Sequence, residues 1–258
     1  MFLFAAILTG CSEYQKALKS EDADVKYAAA AKMYEKEKYT KAIRLFEQIA
    51  ASYRGRPNAE QMYYMFAQSY YKTKQYYLAG YQFETFVAGY PKSEHLEEAS
   101  FLSAKSYAKL SPVYSRDQTD TYKAIDKLQA FIDRFPESQH MAEANETVKA
   151  LREKLEKKAF FNAKNYNKIA DYKSALVALD NFISDYPGTP YKEEALFYRL
   201  DSAYRLAINS VPSKMEERLQ QAKAAHGTLM KFNASTKYKG EADEMLARID
   251  NDLKQYIK

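Results

Sequence analysis

Apolar residues recur along most of the chain at the spacing of one face of an α-helix. In one recurring pattern, an alanine is followed by large apolar residues four and seven positions later and by an aromatic residue eleven positions later. These spacings place the side chains on one helical stripe. A proline just beyond the stripe, present in three of the four copies, stops a helix. The copies are Ala42-Phe46-Ile49-Tyr53, Ala79-Phe83-Phe86-Tyr90, Ala124-Leu128-Phe131-Phe135 and Ala175-Leu179-Phe182-Tyr186.

A second helical pattern lies upstream of each stripe. It has a small residue, which allows two helices to approach closely, and a tyrosine three positions later. Two antiparallel helices repeated in tandem are typical of tetratricopeptide repeats. We therefore predict an all-α, tetratricopeptide-like helical solenoid of about five repeats with a C-terminal capping helix. The small-residue and tyrosine pairs are Ala31/Tyr34, Ala67/Tyr70, Ala104/Tyr107 and Ala163/Tyr166.

The repeat pattern also predicts where the chain departs from regularity. Residues 111–118 interrupt the third unit and are predicted to form a loop. From residue 141 to 164 there is neither glycine nor proline, which predicts a long helix. A fifth unit begins with Phe197, Leu200 and Tyr204, and residues 219–232 complete it without the proline. Apolar residues from Ala242 to Ile257 predict the capping helix.

The N-terminus has the features of a bacterial lipoprotein signal. The apolar residues 2–8 are followed by Leu8-Thr9-Gly10-Cys11, and Cys11 is the single cysteine of the chain. The apolar stretch is too short to span a bilayer. We predict that Cys11 carries a covalent lipid such as palmitate, and we expect no other cofactor. No basic residue precedes Lys16, so we expect the true start a few residues upstream. Ser12 favours the outer membrane, because an aspartate at that position retains lipoproteins in the inner membrane.

These features predict four segments. Residues 1–10 are the signal peptide, and residues 11–24 are the lipidated cysteine and a polar tether. Residues 25–140 contain repeats one to three. Residues 141–258 contain the linking helix, repeats four and five, and the capping helix.

The composition and the motifs of the sequence limit the kinds of ligand and activity that we predict for the chain. The formal net charge is +5, from 39 basic and 34 acidic residues spread along the chain. No dense basic tract is present, so we expect no nucleic-acid partner. The sequence has no phosphate-binding loop, nucleophile elbow or metalloprotease motif, and we predict neither catalytic nor metal-binding residues. His95 and His140 occupy equivalent places in two repeats, a whole repeat apart, so we do not expect them to share a metal.

Tyrosine is unusually abundant, with 24 residues in the chain. Tyr64 and Tyr71 lie on the same face of the predicted first helix as Gln68, and in stacked repeats that face lines a groove. We predict that these residues, with Phe101 and Lys105 of the next repeat, form a peptide-binding groove, because tyrosine offers a rigid contact area with a polar tip. The alternative, that a tyrosine-rich sequence simply exposes tyrosines, remains open.

A lipidated cysteine, tandem helical pairs ending in Tyr-Pro or Phe-Pro, and a long helix after the third pair together resemble the BamD family of outer-membrane lipoproteins. The segment Lys38-Tyr39-Thr40-Lys41-Ala42-Ile43-Arg44-Leu45-Phe46 resembles the first repeat of that family, although Tyr53-Arg54 stands where Tyr-Pro is usual. The resemblance covers residues 11 to about 257.

The resemblance implies a non-enzymatic subunit of the β-barrel assembly (BAM) machinery, at the periplasmic face of the outer membrane. It implies that the C-terminal repeats dock the barrel-forming BamA subunit, for which we assign Tyr198, Ser202 and Arg205. It also implies that the N-terminal repeats receive the C-terminal segments of unfolded barrel precursors. The degenerate fifth repeat departs from the family pattern at the docking residues.

Two other functions remain as alternatives. One is a periplasmic repeat scaffold for pilus or cell-wall assembly. The other is a glycan-binding lipoprotein, but proteins of that kind usually have about twice this length and stack sugars on tryptophan, which this chain lacks.

Overall fold

The computed structural model describes the backbone of residues 8–256 and the side chains of residues 13–256. In this range the chain forms α-helices and a terminal 3-10 turn, with no strand, so the predicted all-α fold of paired helices is confirmed. The predicted signal peptide lies mostly outside the described residues. The elements are α1 (Leu8–Lys19), α2 (Ala23–Glu35), α3 (Tyr39–Ile49), α4 (Ala59–Lys72), α5 (Tyr76–Gly89), α6 (Leu96–Leu110), α7 (Thr119–Arg134), α8 (Met141–Lys168), α9 (Tyr172–Asp185), α10 (Lys192–Ile208), α11 (Pro212–Phe232), α12 (Lys239–Leu253) and the 3-10 turn Lys254–Tyr256.

The chain divides into two compact units, residues 1–152 and residues 153–258. In unit 1 the helix pairs are α2/α3, α4/α5 and α6/α7, followed by the first part of α8. In unit 2 the remainder of α8 pairs with α9, α10 pairs with α11, and α12 follows. We call the helix that opens each pair the first helix and the one that closes it the second helix.

The recurring stripe forms the core of each unit, because its residues pack between neighbouring helices. The leading alanine is fully buried in all four copies, at Ala42, Ala79, Ala124 and Ala175. The next member of the stripe is also fully buried, as Phe46, Phe83, Leu128 and Leu179. Burying each such large apolar side chain contributes about 1.5–3 kcal/mol, so the stripe is a main source of packing energy.

The turn between first and second helix has the same geometry in three pairs. Glu37, Lys74 and Ala170 have φ values of 55°, 60° and 62°, in the left-handed region. In each turn the next residue donates its backbone N–H to a carbonyl five positions earlier, as in Gln75 N to Tyr70 O at 2.9 Å. This is the hydrogen-bond pattern of a Schellman helix end, which lets the chain reverse within a few residues.

Other predicted boundaries agree with the structure. Helix α6 ends at Leu110 and α7 begins at Thr119, so residues 111–118 form the predicted connection. The long helix predicted from residue 141 is α8, which has 28 residues. The degenerate fifth pair is α10 and α11. The predicted cap is α12, where Ala242, Ile249 and Leu253 are buried.

The prediction of a polar tether before the first repeat is wrong for the residues up to Lys19. This segment belongs to α1, and Tyr14 and Ala17 are 4% and 2% exposed against the first repeat. Tyr14, Ala17 and the partly buried Leu18 lie three and four positions apart, which makes a helical stripe that packs on the core. None of the described helices is both long enough and apolar enough to cross a membrane.

Candidate protein-binding faces

Among the described residues, four stacked ring pairs join each of the helices α4, α6, α8 and α10 to the chain that leads into a later helix. In each pair, the ring lies parallel to that of the residue just before α6, α8, α10 or α12, respectively. Tyr64 on α4 stacks on His95, with ring centroids 4.0 Å apart and planes 8° apart. Aromatic rings at this distance attract beyond the area they bury. The other pairs are Phe101–His140 (4.3 Å), Phe160–Tyr191 (4.8 Å) and Phe197–Tyr238 (4.1 Å).

These pairs explain the equivalent positions of the two histidines. Each histidine lies four residues after the proline that follows a second helix. Tyr191 likewise lies four residues after Pro187. The residue therefore reaches back onto the preceding first helix as its own helix begins. His95 and His140 are packing residues that join neighbouring repeats, each within unit 1.

On the first-helix face of unit 1, Tyr64 also forms hydrogen bonds. Its hydroxyl donates to Glu98 Oε2 at 2.6 Å and accepts from Gln68 Nε2 at 2.8 Å. Burial and the nearby Glu98 carboxylate raise the pKa of the Tyr64 phenol. The phenol therefore stays protonated and holds α4 to the first turn of α6.

About two turns after Tyr64 on α4, Tyr71 meets a charged pair. Lys105 on α6 forms an ion pair with Glu143 on α8, with 2.5 Å between Nζ and Oε1. Burial opposes the charge of Lys105, but hydrogen bonds to Glu143 and Tyr71 outweigh it and raise the lysine pKa. Lys105 therefore remains charged, with its ammonium beside the partly exposed Tyr71 ring.

The structure brings the predicted groove residues together but buries several of them. Tyr64, Gln68 and Phe101 are 6%, 8% and 2% exposed. The expectation that they offer accessible contact area is wrong, because Tyr64 and Phe101 join α4 to α6 and α6 to α8, and Gln68 donates to the Tyr64 hydroxyl. Tyr71 and Lys105 are partly exposed and are the accessible members of the set. Peptide binding by this face stays a prediction.

The acidic members of this face were not predicted from the sequence. Glu98 and Glu143 lie seven residues after Pro91 and Pro136, so their equivalence is visible in the sequence. Tyr34 on α2 is also partly exposed on this face, and burial together with the charges of Tyr39 and Glu98 raises its pKa. We define the unit 1 face as Tyr34, Tyr71, Glu98, Lys105 and Glu143.

Unit 2 repeats the lysine–glutamate pair once, with a tyrosine of the following first helix beside it. Lys164 on α8 pairs with Glu194 on α10 at 2.6 Å, and its ammonium lies 4.3 Å from the ring centroid of Tyr198. Burial opposes the lysine charge, but the hydrogen bonds to Glu194 and Tyr198 raise the pKa of Lys164. Tyr198, predicted as a docking residue, therefore lies beside a fixed positive charge.

The next position along this face differs, because Asp201 stands where the preceding repeats have Lys105 and Lys164. Asp201 is 6% exposed, and its carboxylate accepts hydrogen bonds from Asn167 Nδ2 at 2.7 Å and Arg205 Nε at 2.8 Å. These bonds raise the pKa of Arg205, whose side chain is still 52% exposed. A buried carboxylate thus holds an accessible guanidinium at a fixed place.

Ser202 is not accessible to a partner, which corrects its prediction as a contact residue. It is fully buried, donates to Tyr198 O at 2.7 Å and accepts from Asn167 Nδ2 at 2.9 Å. In this structure its hydroxyl joins α10 to Asn167 on α8. We define the unit 2 face as Lys164, Glu194, Tyr198, Asp201 and Arg205.

The predicted lipidation site lies at the start of the described chain. The backbone of Cys11 belongs to α1, and its side chain lies outside the described residues. Among the described residues, no group of three or more His, Cys, Asp or Glu side chains is placed to hold a metal ion.

Comparisons with known structures return proteins with tetratricopeptide-like repeats. A kinesin light chain of Podospora anserina with nearly identical repeats has 16% sequence identity and a TM-score of 0.35, covering 80% of this chain and 95% of that one. A second structure of that protein has 17% identity and a TM-score of 0.34, covering 84% and 100%. These likenesses are distant, and the fold assignment rests on the helix pairs described above. No match is found among curated proteins.

A family model gives the closer assignment. The model described as YfiO, outer membrane lipoprotein, matches residues 19–169 and 160–256. The two matches overlap within α8 and together cover both units. The BamD-family resemblance stated from the sequence is thereby confirmed, and the chain belongs to the YfiO family of outer membrane lipoproteins.

Proposed function

We propose that this chain is a non-catalytic, lipid-anchored subunit of the outer-membrane β-barrel assembly machinery, at the periplasmic face. The observation that carries the proposal is the family match over residues 19–256, which includes both first-helix faces. In the proposed role the chain binds two kinds of protein, one on each face. The covalent lipid on Cys11 anchors it to the membrane.

The unit 1 face receives the C-terminal segments of unfolded barrel precursors. Its accessible part combines the ring of Tyr71 with the ammonium of Lys105, which suits an aromatic side chain close to a carboxylate. The buried Tyr64 and Phe101 support this surface from beneath through their ring stacks.

The unit 2 face docks a BamA-like barrel subunit. Arg205 is half exposed and is held through its Nε by Asp201, so its guanidinium is fixed where it can meet an acidic group of the partner. Tyr198 adds apolar contact area beside Lys164. Tyrosine and arginine are enriched among residues that dominate binding energy at interfaces.

Co-purification tests the docking role. Protein isolated from detergent-solubilised outer membrane is expected to recover BamA, and Arg205→Glu is expected to reduce that recovery at least about tenfold, because it reverses a charge at the interface. Arg248→Glu makes the same charge change at an exposed position of α12 and is expected to leave recovery unchanged. Failure of the wild-type protein to recover BamA would reject barrel assembly.

Crosslinking tests the precursor-binding role. Tyr71→Ala combined with Lys105→Ala is expected to weaken crosslinking to a barrel C-terminal peptide. Tyr166→Ala, at a tyrosine of unit 2 that is 41% exposed, serves as the control. Equal crosslinking by both variants would reject the unit 1 face as the binding site.

Membrane fractionation tests the anchor. Cys11→Ala is expected to leave a folded protein that no longer sediments with membranes. Persistent membrane association of this variant would reject lipid anchoring at Cys11.

The protein isolated from outer membrane also distinguishes the two alternative functions, a periplasmic repeat scaffold and a glycan-binding lipoprotein. Recovery of pilus or cell-wall assembly proteins without BamA would favour a scaffold in one of those processes. Glycan binding measured by calorimetry would favour the glycan-binding lipoprotein.

A further inference from the structure

Unit 1 has a cleft on the side opposite its first-helix face. It lies between the second helices α5 and α7, with α6 as its floor, and has a volume of about 560 Å³. Its wall and floor include Val87, Ala88, Ala130, Phe131 and Phe135, with Ser100 and Ser103 below. We call this the outer cleft. Its size and apolar lining are those of a site for one or two side chains of a ligand.

The floor is open because α6 has small residues where it crosses the cleft. Ser103 is buried and donates its hydroxyl to Gly80 O at 3.1 Å, and Ser100 donates to Leu96 O at 2.7 Å. Both hydroxyls are therefore satisfied within the protein. In the preceding repeat the position of Ser100 is occupied by Tyr63, so the fold accepts a large ring there.

The polar groups around the outer cleft include two cations without an acidic partner. Lys127 forms an ion pair with Glu84 across the cleft. Lys123 lies 3.9 Å from the ring centroid of Tyr107, and Arg134 lies 5.3 Å from that of Phe135. Within the described part of the chain, neither has a carboxylate within ion-pair distance. Helix α7 carries three acidic and three basic residues, and in the described part of the chain Lys123 and Arg134 are the basic ones without an ion pair.

Exposed tyrosines lie on the two helices that form the walls of the cleft, before the residues that line it. Tyr77 and Tyr81, one turn apart on α5, are 67% and 58% exposed, and Tyr122 at the start of α7 is 59% exposed. Solvent-exposed tyrosines with an apolar cleft beside them are typical of protein–protein contact surfaces. This is a second, independent sign that the surface has a partner.

We propose that the outer cleft binds an extended acidic segment of a partner protein. Lys123 and Arg134 are eleven residues apart on one helix, a rise of about 16 Å. Four residue steps of an extended chain cover about 14 Å, and residues an even number of steps apart point to the same side of that chain. The long, flexible side chains of Lys123 and Arg134 can span the remaining distance. The segment therefore has two carboxylates four residues apart, which pair with Lys123 and Arg134, and an apolar or aromatic residue midway between them that enters the cleft. This site is separate from both faces of the proposed function.

Fluorescence anisotropy with labelled pentapeptides tests the proposal. The full chain is expected to bind the acidic peptide Glu-Ala-Phe-Ala-Glu with a Kd below about 0.5 mM at low salt, because two charge-assisted contacts act together. The basic peptide Lys-Ala-Phe-Ala-Lys is expected to show no saturable binding. Equal binding of the two peptides, or no binding of the acidic one, would overturn the proposal.

Variants locate the binding. Arg134→Glu and Lys123→Glu are each expected to weaken acidic-peptide binding at least about tenfold, whereas Lys19→Glu on α1 makes the same charge change elsewhere in unit 1 and is expected to have no effect. Ser100→Tyr is expected to block the cleft while circular dichroism shows an unchanged helix content. Wild-type affinity in Arg134→Glu, or an equal loss in Lys19→Glu, would refute the assigned site whether or not Ser100→Tyr folds.

Discussion

Tyr64 stacks face to face on His95, with 4.0 Å between ring centroids, and its hydroxyl donates a 2.6 Å hydrogen bond to Glu98. Helix α6 begins at Leu96, between these two contacts. One side chain of α4 is therefore bonded to the residue before α6 and to the first turn of α6. This fixes both where α6 begins and how close it lies to α4.

Substitutions at Tyr64 separate the two contacts. Tyr64→Phe keeps the stack and removes the hydrogen bond to a carboxylate, so we expect a loss of about 1.5–3 kcal/mol in the free energy of unfolding. Tyr64→Ala also leaves a cavity, and we expect a loss of about 3–5 kcal/mol. Urea unfolding followed by circular dichroism measures both. The same changes at the exposed Tyr122 are expected to cost less than about 0.5 kcal/mol, and equal losses at the two positions would contradict the role of Tyr64.

The stack at His140 is expected to depend on an aromatic ring and not on imidazole chemistry. The equivalent residues in unit 2 are Tyr191 and Tyr238, which stack in the same way. His140→Tyr is therefore expected to be within about 0.5 kcal/mol of the wild type, whereas His140→Ala is expected to lose about 1 kcal/mol. Thermal unfolding measures both. A variant His140→Tyr as unstable as His140→Ala would show that the histidine has another function.

Two glycines provide a matched test of backbone conformation. A Cβ added at Gly55 or at Gly89 would meet no atom within 4 Å, but Gly55 has a φ of 83°, and Gly89 ends α5 without a positive φ. We expect Gly55→Ala to destabilise the protein by about 1 kcal/mol and Gly89→Ala to stabilise it by about 0.4–1 kcal/mol. Differential scanning calorimetry measures both. If both substitutions changed the stability in the same direction, the left-handed conformation at Gly55 would not be unfavourable for alanine.

The N-terminus of α9 is expected to lose stability in acid. Hydrogen bonds from the side chain and the backbone N–H of Ser174 lower the pKa of Asp171, which caps this helix. Because the folded state holds that proton less tightly than the unfolded state, the contribution of Asp171 is fully present above its unfolded pKa and is lost as the pH falls through the folded pKa. Melting temperatures measured across this range are expected to fall more steeply for the wild type than for Asp171→Asn, which caps without titrating. Parallel curves would contradict the assignment.

Much of the fold could be predicted because its information is local. The stripe that begins at Ala79 specifies a helix, its buried side and its end at Pro91, and all three follow from spacing and from the chemistry of proline. The loop at residues 111–118 could be predicted in the same way, as an interruption of a regular pattern.

The candidate faces were harder to predict because they depend on contacts between helices. The spacing of Tyr64 and Tyr71 places both on one face of α4. It does not show that Glu98 and His95 pack over Tyr64, or that Tyr71 stays partly exposed. The same limit applies to α1, where Tyr14, Ala17 and Leu18 give an apolar pattern too short to distinguish a packed helix from a tether. Ser202 was assigned by helical position, and only the neighbouring Asn167 shows that it is covered.

Helix α8 contains the boundary between the two units, so it determines where the chain can be cut to study each unit separately. A chain cut after Arg152 would divide a 28-residue helix near its middle and leave unpaired carbonyl and N–H groups at the two new ends. Overlapping fragments of residues 13–168 and 141–256 would each retain the whole helix. Fragments that share these residues are therefore the ones to express when one face is to be assayed without the other.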